Sequence, residues 1–197
     1  MKKLLTIFIT LFILSSCFNW NESNTRESLD KKTWLEVYST WTFTVAVPTA
    51  WEKFSKNTDL VPKPIFGEVV LASVSKNEKL GFYNNFVVIS QNIWTDVSSL
   101  DYSMINNALS AKDYLEYEEL KQRDITFPNW KKSKLYVFKA RYNEKSPKAV
   151  FIQAGEVCWN TWYLLTIWLN QSVSDTTKYE KIIETFTCKD EKQVEEK

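Results

Sequence analysis

Apolar residues recur at every second position along several stretches of this chain and at every third or fourth position along two others. Phe43, Val45 and Val47 alternate with polar or small neighbours and stop at Pro48, which predicts a strand ended by proline. Val69 to Val74 predicts a second strand, introduced by the loop Pro62-Lys63-Pro64, and Phe86 to Gln91 a third. The near-continuous apolar character of this third run suits a central strand covered on both faces. Glu118 to Phe127 and Leu135 to Tyr142 read as one hairpin, Ala149 to Val157 and Tyr163 to Leu169 as another. Tyr163, Leu165, Ile167 and Leu169 share a face, as do Tyr136, Phe138, Ala140 and Tyr142. Aromatics at period two pack under a helix more often than they line a groove, so Tyr136, Phe138 and Tyr142 are expected in the core, with a ligand groove as the alternative.

Two segments have helical spacing. Leu100, Met104, Ala108, Ala111 and Leu115 form one stripe behind a Ser98 or Ser99 cap. Ser110-Ala111-Lys112-Asp113 resembles a capping box, so this stretch reads as one helix or as two. Tyr179, Ile182, Ile183 and Phe186 form the other stripe, on a helix capped near Ser174 or Asp175. Strands in hairpins with helices in separate blocks indicate an α+β domain. No internal repeat is present.

The opening Tyr38-x4-Phe43-x-Val45-x-Val47-Pro48-x2-Trp51, followed by the two hairpins and the closing Tyr179-x2-Ile182-Ile183-x2-Phe186 helix, resembles the PsbP-like family over residues 36–188. That family includes the extrinsic P subunit of photosystem II, a nuclear-transport factor that binds the Ran GTPase, and DcrB-type bacterial lipoproteins. The resemblance implies an antiparallel sheet of about six strands with helices on both faces, an α/β/α sandwich. It also implies a domain that binds protein partners without catalysis.

The first residues carry an address. Met1-Lys2-Lys3 is basic, Leu4 to Leu14 is apolar, and Leu14-Ser15-Ser16-Cys17 ends the run on small residues before a cysteine. This is the layout of a secretory signal peptide, and its ending resembles the lipobox of bacterial lipoproteins, in which the cysteine is lipidated and begins the mature chain. The apolar run is well short of the ~20 residues a bilayer span needs. The expected organisation is a signal peptide over 1–16, lipidated Cys17 with a polar tether to residue 32, a PsbP-like domain over 33–189, and a charged, frayed tail over 190–197. Two or more acyl chains on Cys17 would anchor the protein to the membrane on its extracytoplasmic face.

Composition removes most chemistry. Lys and Arg number 25 against 24 Asp and Glu, with no basic stripe, so nucleic acid is not an expected partner. The chain contains no histidine, hence none of the usual Ser-His-Asp or Cys-His dyads and no imidazole metal ligand. Gly-x-Ser-x-Gly, P-loop and dinucleotide motifs are missing. Glu116, Glu118 and Glu119 near Asp113 read as a solvated face rather than a Ca²⁺ site, and Lys131, Lys132 and Lys134 as a solubilising turn. No catalytic residue, metal or cofactor is expected. Besides Cys17 the cysteines are Cys158 and Cys188, which in an oxidising compartment form either a disulfide or two buried thiols. A bridge closing that loop would contribute roughly 3–4 kcal/mol.

Glycine and tryptophan are inverted in abundance, with 3 and 9 copies, where a chain of this length ordinarily carries about 14 glycines. Several tryptophans also stand where turns belong: Trp41, Trp130, Trp159 and Trp162. Reading UGA as tryptophan in a gene that uses it for glycine would produce this pattern, with Trp20, Trp41, Trp94, Trp130, Trp159, Trp162 and Trp168 as candidates. Trp34 is left open, and Trp51 is kept as a true tryptophan because the family opening ends in Val-Pro-x-x-Trp. The competing reading is a Trp-rich surface that contacts carbohydrate or lipid.

The expected function is a membrane-anchored, extracytoplasmic, non-enzymatic lipoprotein whose domain binds a protein or assists assembly of an envelope complex. The alternative is a module that binds envelope carbohydrate or polymer through exposed aromatics.

Overall fold

The computed structural model describes residues 34–56, 58–79, 82–92 and 95–189. The signal peptide, Cys17, the tether, the tail from residue 190, Trp20 and Trp94 lie outside them.

Ten strands and two helices follow in the order β1 (Leu35–Ser39), β2 (Phe43–Pro48), β3 (Trp51–Phe54), β4 (Glu68–Lys79), β5 (Phe82–Asn92), α1 (Ser99–Asp113), β6 (Leu115–Thr126), β7 (Lys132–Arg141), β8 (Ala149–Cys158), β9 (Thr161–Asn170), α2 (Thr177–Glu184) and β10 (Thr187–Cys188). The fold is α+β. Its main sheet has seven antiparallel strands rather than about six, in the order β3-β4-β5-β9-β8-β7-β6, and β1-β2-β10 make a second, three-stranded sheet. The added strands are short β1, β3 and β10, whose few residues show no period of their own and are fixed by pairing.

One face of the main sheet carries Leu71, Phe86, Val88, Val137, Ile152, Leu165 and Ile167, packed against Phe43, Val45 and Val47 of β2 and Ile182, Ile183 and Phe186 at α2. Burying a side chain of this size contributes roughly 1.5–3 kcal/mol. Helix α2 is held at the sheet edge by Glu180, buried yet reached by Lys121 and Arg123 of β6 at 3.1 and 2.9 Å. Its N-cap is Thr176, slightly later than the sequence suggests, while Asp175 accepts the Thr177 N–H at 2.9 Å.

The other face is covered by α1 over β7 and β8, and by Val61 over β4 and β5. Here the helical stripe is reversed. The residues α1 buries are Ser99, Tyr102, Ser103 and Ser110, whereas Met104, Ile105 and Leu109 face outward, each close to half exposed. The cause lies in the sheet. Pairing between β7 and β8 ends at Tyr136–Gln153, leaving the β7-facing edge of Gly155 to Cys158 without a ladder. Ser99 Oγ accepts the Val157 N–H at 2.9 Å, Ser103 Oγ accepts that of Gly155 at 3.2 Å and donates to Lys134 O, and Ser133 Oγ donates to Gly155 O at 2.7 Å. An apolar helix face would leave these buried groups unpaired at about 1–3 kcal/mol each. The capping box does not start a second helix either, because Ser110 Oγ donates to Gln153 at 3.1 Å and the chain turns extended at Tyr114.

Candidate functional site

Between β3 and β4 the chain crosses the α1 side of the sheet as a proline-punctuated loop. Val61 anchors it in the core, and Ile65 and Phe66 stand 72% and 74% exposed. The loop re-enters the sheet at Gly67, whose φ of +79° and approach to Ser90 O leave no room for a side chain. Between loop and helix lies a cavity of about 160 Å³, floored by Val87, Ile89, Leu164 and Thr166 and walled by Phe66 and Leu109. Its polar groups are mostly committed: Gln153 accepts from Ser110 and donates to Thr166 Oγ1 at 3.1 Å.

A second cavity of about 350 Å³ shares Val61, Pro62, Tyr142 and Trp168 with the first and continues toward Phe82, Asn85 and Phe151. The Tyr142 hydroxyl donates to Lys63 O at 3.1 Å, tying the loop to the end of β7. Asn85 is buried and donates to Tyr83 O at 3.0 Å, but its own amide oxygen has no partner. Together the cavities form a trough that is mainly apolar beside α1 and also carries Asp59, Asn143, Lys145 and Ser146 at its other end, and an extended segment with apolar anchors is the ligand they suit. Burial pushes the phenols of Tyr114 and Tyr142 upward, so both are neutral donors at physiological pH.

The residues singled out in the sequence fall in several places. Tyr136 and Phe138 are buried, and Tyr142 lines both cavities, so the aromatic strand face divides between core and groove. Glu116 pairs with Arg141 and Lys148 at 3.4 and 3.5 Å. Lys131 reaches Val157 O, and Lys134 lies 3.6 Å from Asp124. Cys158 and Cys188 are joined by a disulfide, their Cα atoms 5.8 Å apart, linking β8 to β10. Glu156 lies beside it, fully buried, with Oε1 at 3.0 Å from Cys188 Sγ and accepting from Asn129 Nδ2. Burial pushes this carboxyl up to about 7, against the pull of Asn129 and the charge of Lys131. Ligand atoms of Glu156, Cys158 and Cys188 cluster within 4.8 Å, but the two sulfurs are bonded to each other.

Sequence reasoning placed the Pro62-Lys63-Pro64 loop but missed the part that Ile65 and Phe66 take in the groove, and it missed Glu156. The adjacent apolar pair Ile65-Phe66 between prolines, and a lone acid in the apolar run of β8, are the signals that would have found them.

The tryptophans separate into two groups. Trp130 and Trp159 have φ of 66° and 52°, the left-handed region that glycine favours. Both stand in hairpin turns, and Trp130 is 86% exposed. Trp162 and Trp168 lie in β9 with their rings packed, Trp162 at 4.4 Å from Tyr102 and Trp168 at 5.0 Å from Phe151. Trp51 packs against Tyr179 at 6.3 Å beside the main core, and exposed Trp41 follows β1.

Among solved structures the chain is similar to cyanobacterial PsbP (CyanoP) from Synechocystis sp. PCC 6803, with a TM-score of 0.50 and 13% identity over 79% of this chain and 92% of that one. The fold is PsbP-like. A protein of unknown function from Pseudomonas aeruginosa, PA94, also has a TM-score of 0.50, at 12% identity over 80% of this chain and 99% of its own. The yeast Ran-binding protein Mog1p follows at 0.49, with 10% identity over 81% and 97% of the two chains. No family profile and no curated protein matches the sequence. At these identities the PsbP-like likeness is one of fold.

Proposed function

We propose that this chain is a non-catalytic binding domain, held at the extracytoplasmic face of a membrane through lipidated Cys17, that takes an apolar segment of a protein partner in the trough between α1 and the Val61–Phe66 loop. The observation that carries the reading is the reversed helix. Leu109 lines an apolar cavity together with Ile65 and Phe66, and Met104 and Ile105 stand exposed on the same helix, where exposed apolar surface marks interaction sites. The lipobox-like Leu14-Ser15-Ser16-Cys17 ending supports the membrane tether. Carbohydrate binding through aromatics has less support, since two of the three exposed turn tryptophans, Trp130 and Trp159 but not Trp41, occupy glycine-type backbone.

The test is photocrosslinking from position 109 in intact cells, followed by purification from detergent-solubilised membranes. A discrete crosslinked protein that is lost with Phe66→Glu supports the reading. Absence of any adduct, or adducts equally strong with Phe66→Glu, counts against it. In parallel, Cys17→Ser is expected to move the protein from the membrane to the soluble fraction.

A further inference from the structure

Glu156 has no place in the groove, and its burial is costly for a carboxyl. It is fully enclosed, and Oε2 has no hydrogen-bond partner. Its Oε1 touches Cys188 Sγ at 3.0 Å, and it stands two residues from Cys158 on the same strand face. Of the two sulfurs, that of Cys158 belongs to a buried residue, while Cys188 is half-buried on short β10. A buried acid in contact with a disulfide has one chemical use that a surface acid lacks. It can hold a proton at neutral pH and deliver it to a thiolate as that thiolate forms.

We propose that Cys158, Cys188 and Glu156 form a redox site that exchanges with an external dithiol, Glu156 giving and taking back the proton. A thiolate of the dithiol, having released its proton to water, attacks Cys188 Sγ, the more accessible sulfur. The S–S bond breaks, its electron pair goes to Cys158 Sγ, which lies within 4.8 Å of the carboxyl, and Glu156 protonates that thiolate directly or through one water. The second thiol of the dithiol then loses its proton to the Glu156 carboxylate and attacks its own sulfur in the mixed disulfide. Cys188 leaves as a thiolate and takes up the proton first released to water. The disulfide is reduced to two thiols, the dithiol is oxidised to a disulfide, and Glu156 ends as it began.

The groups facing Glu156 set when it can act. Asn129 donates to it from the β6–β7 turn, and Lys131 of the same turn is the nearby positive charge. Tyr163, its cross-strand partner on β9, commits its hydroxyl to Thr42 at 3.0 Å. Opening the bond removes one tie on β10, which among the described residues is held to β2 by the pairs Thr187–Thr44 and Cys188–Phe43 and by the Lys189 N–H on Thr42 O. The exchange therefore controls the last strand of the smaller sheet.

The experiment follows reduction of the full-length chain by dithiothreitol from pH 5 to 9. Alkylation and peptide mass spectrometry report Cys158 and Cys188 separately from Cys17. Expressed per dithiothreitol thiolate, the rate is expected to be constant at low pH and to fall at least tenfold on passing about pH 7. Glu156→Gln should remove that break and react at the wild-type alkaline rate throughout. Asn129→Ala should keep the break and move it to higher pH, because the donor that favours the carboxylate is gone. A merely structural carboxyl would change melting temperature without giving the break. Equal thiolate-normalised rates for wild type and Glu156→Gln at every pH would overturn the proposal. Should Glu156→Gln fail to fold, a break unmoved by Asn129→Ala would overturn it equally.

Discussion

Ser103 Oγ sits between two strands that no longer pair, accepting the Gly155 N–H at 3.2 Å and donating to Lys134 O. A helix side chain thus replaces a rung of the sheet. This bridge, with Ser99 accepting from Val157, turns the polar side of α1 inward and leaves its apolar side exposed.

Removing the bridge should therefore cost stability out of proportion to the size of a hydroxyl. Ser103→Ala is expected to destabilise by about 1–3 kcal/mol, since two buried backbone groups lose their partner. Met104→Ala, one residue on but facing outward, should change stability by less than about 0.5 kcal/mol. Urea unfolding monitored by circular dichroism checks both. Equal losses would mean that the helix packs by its apolar side.

At Gly155 the same helix comes close to the sheet. A Cβ there would overlap the Tyr102 ring and lie 3.2 Å from Ser103 N. The ring is buried and cannot swing away, so Gly155→Ala should destabilise by about 1–3 kcal/mol through overpacking. A chemical denaturation midpoint equal to wild type would count against this packing.

The turn tryptophans give a prediction of opposite sign. Trp130→Gly and Trp159→Gly relieve left-handed backbone at little loss of packing, and each is expected to stabilise by about 1 kcal/mol. Trp51→Gly, which strips a ring from Tyr179, should destabilise by more than about 2 kcal/mol. Thermal melts of the three variants decide the matter for the protein. Nine UGG codons in the gene would dismiss recoding as the origin of these residues.

Two buried carboxyls pull stability in opposite directions with pH. Burial raises the Glu156 carboxyl from 4.5 to about 7, so unfolding releases its proton above pH 4.5. Stability from this group is full below about pH 4.5 and falls as pH rises to about 7, by roughly 3 kcal/mol in all. Glu180 behaves inversely. Burial pushes it up, but Thr176, Arg123 and Lys121 outweigh burial and hold it below its ordinary value, so its contribution is present above the unfolded value and lost as pH falls. Glu156→Gln should flatten the neutral limb of the stability profile, and Glu180→Gln the acid limb. Denaturation at a series of pH values separates them, and unchanged limbs would show that neither group is linked to folding.

Periodicity in the sequence determined the hairpins β6–β7 and β8–β9, the central character of β5, and the buried face of α2, because each is a run long enough for period two or 3.6 to appear. The histidine-free composition limited the chemistry, and the N-terminal residues suggested an address. Tertiary structure alone decided which side of α1 faces inward. The stripe Leu100-Met104-Ala108-Ala111 was legible, but the unpaired N–H groups of Gly155 and Val157 that overrule it arise only when β7 and β8 part. The trough likewise joins a loop, a helix and strands β5, β8 and β9, distant in sequence. Glu156 meets the disulfide only because β10 returns to the end of β8. Local pattern records what a segment prefers to bury; which polar groups a neighbour leaves unsatisfied is a property of the assembled sheet.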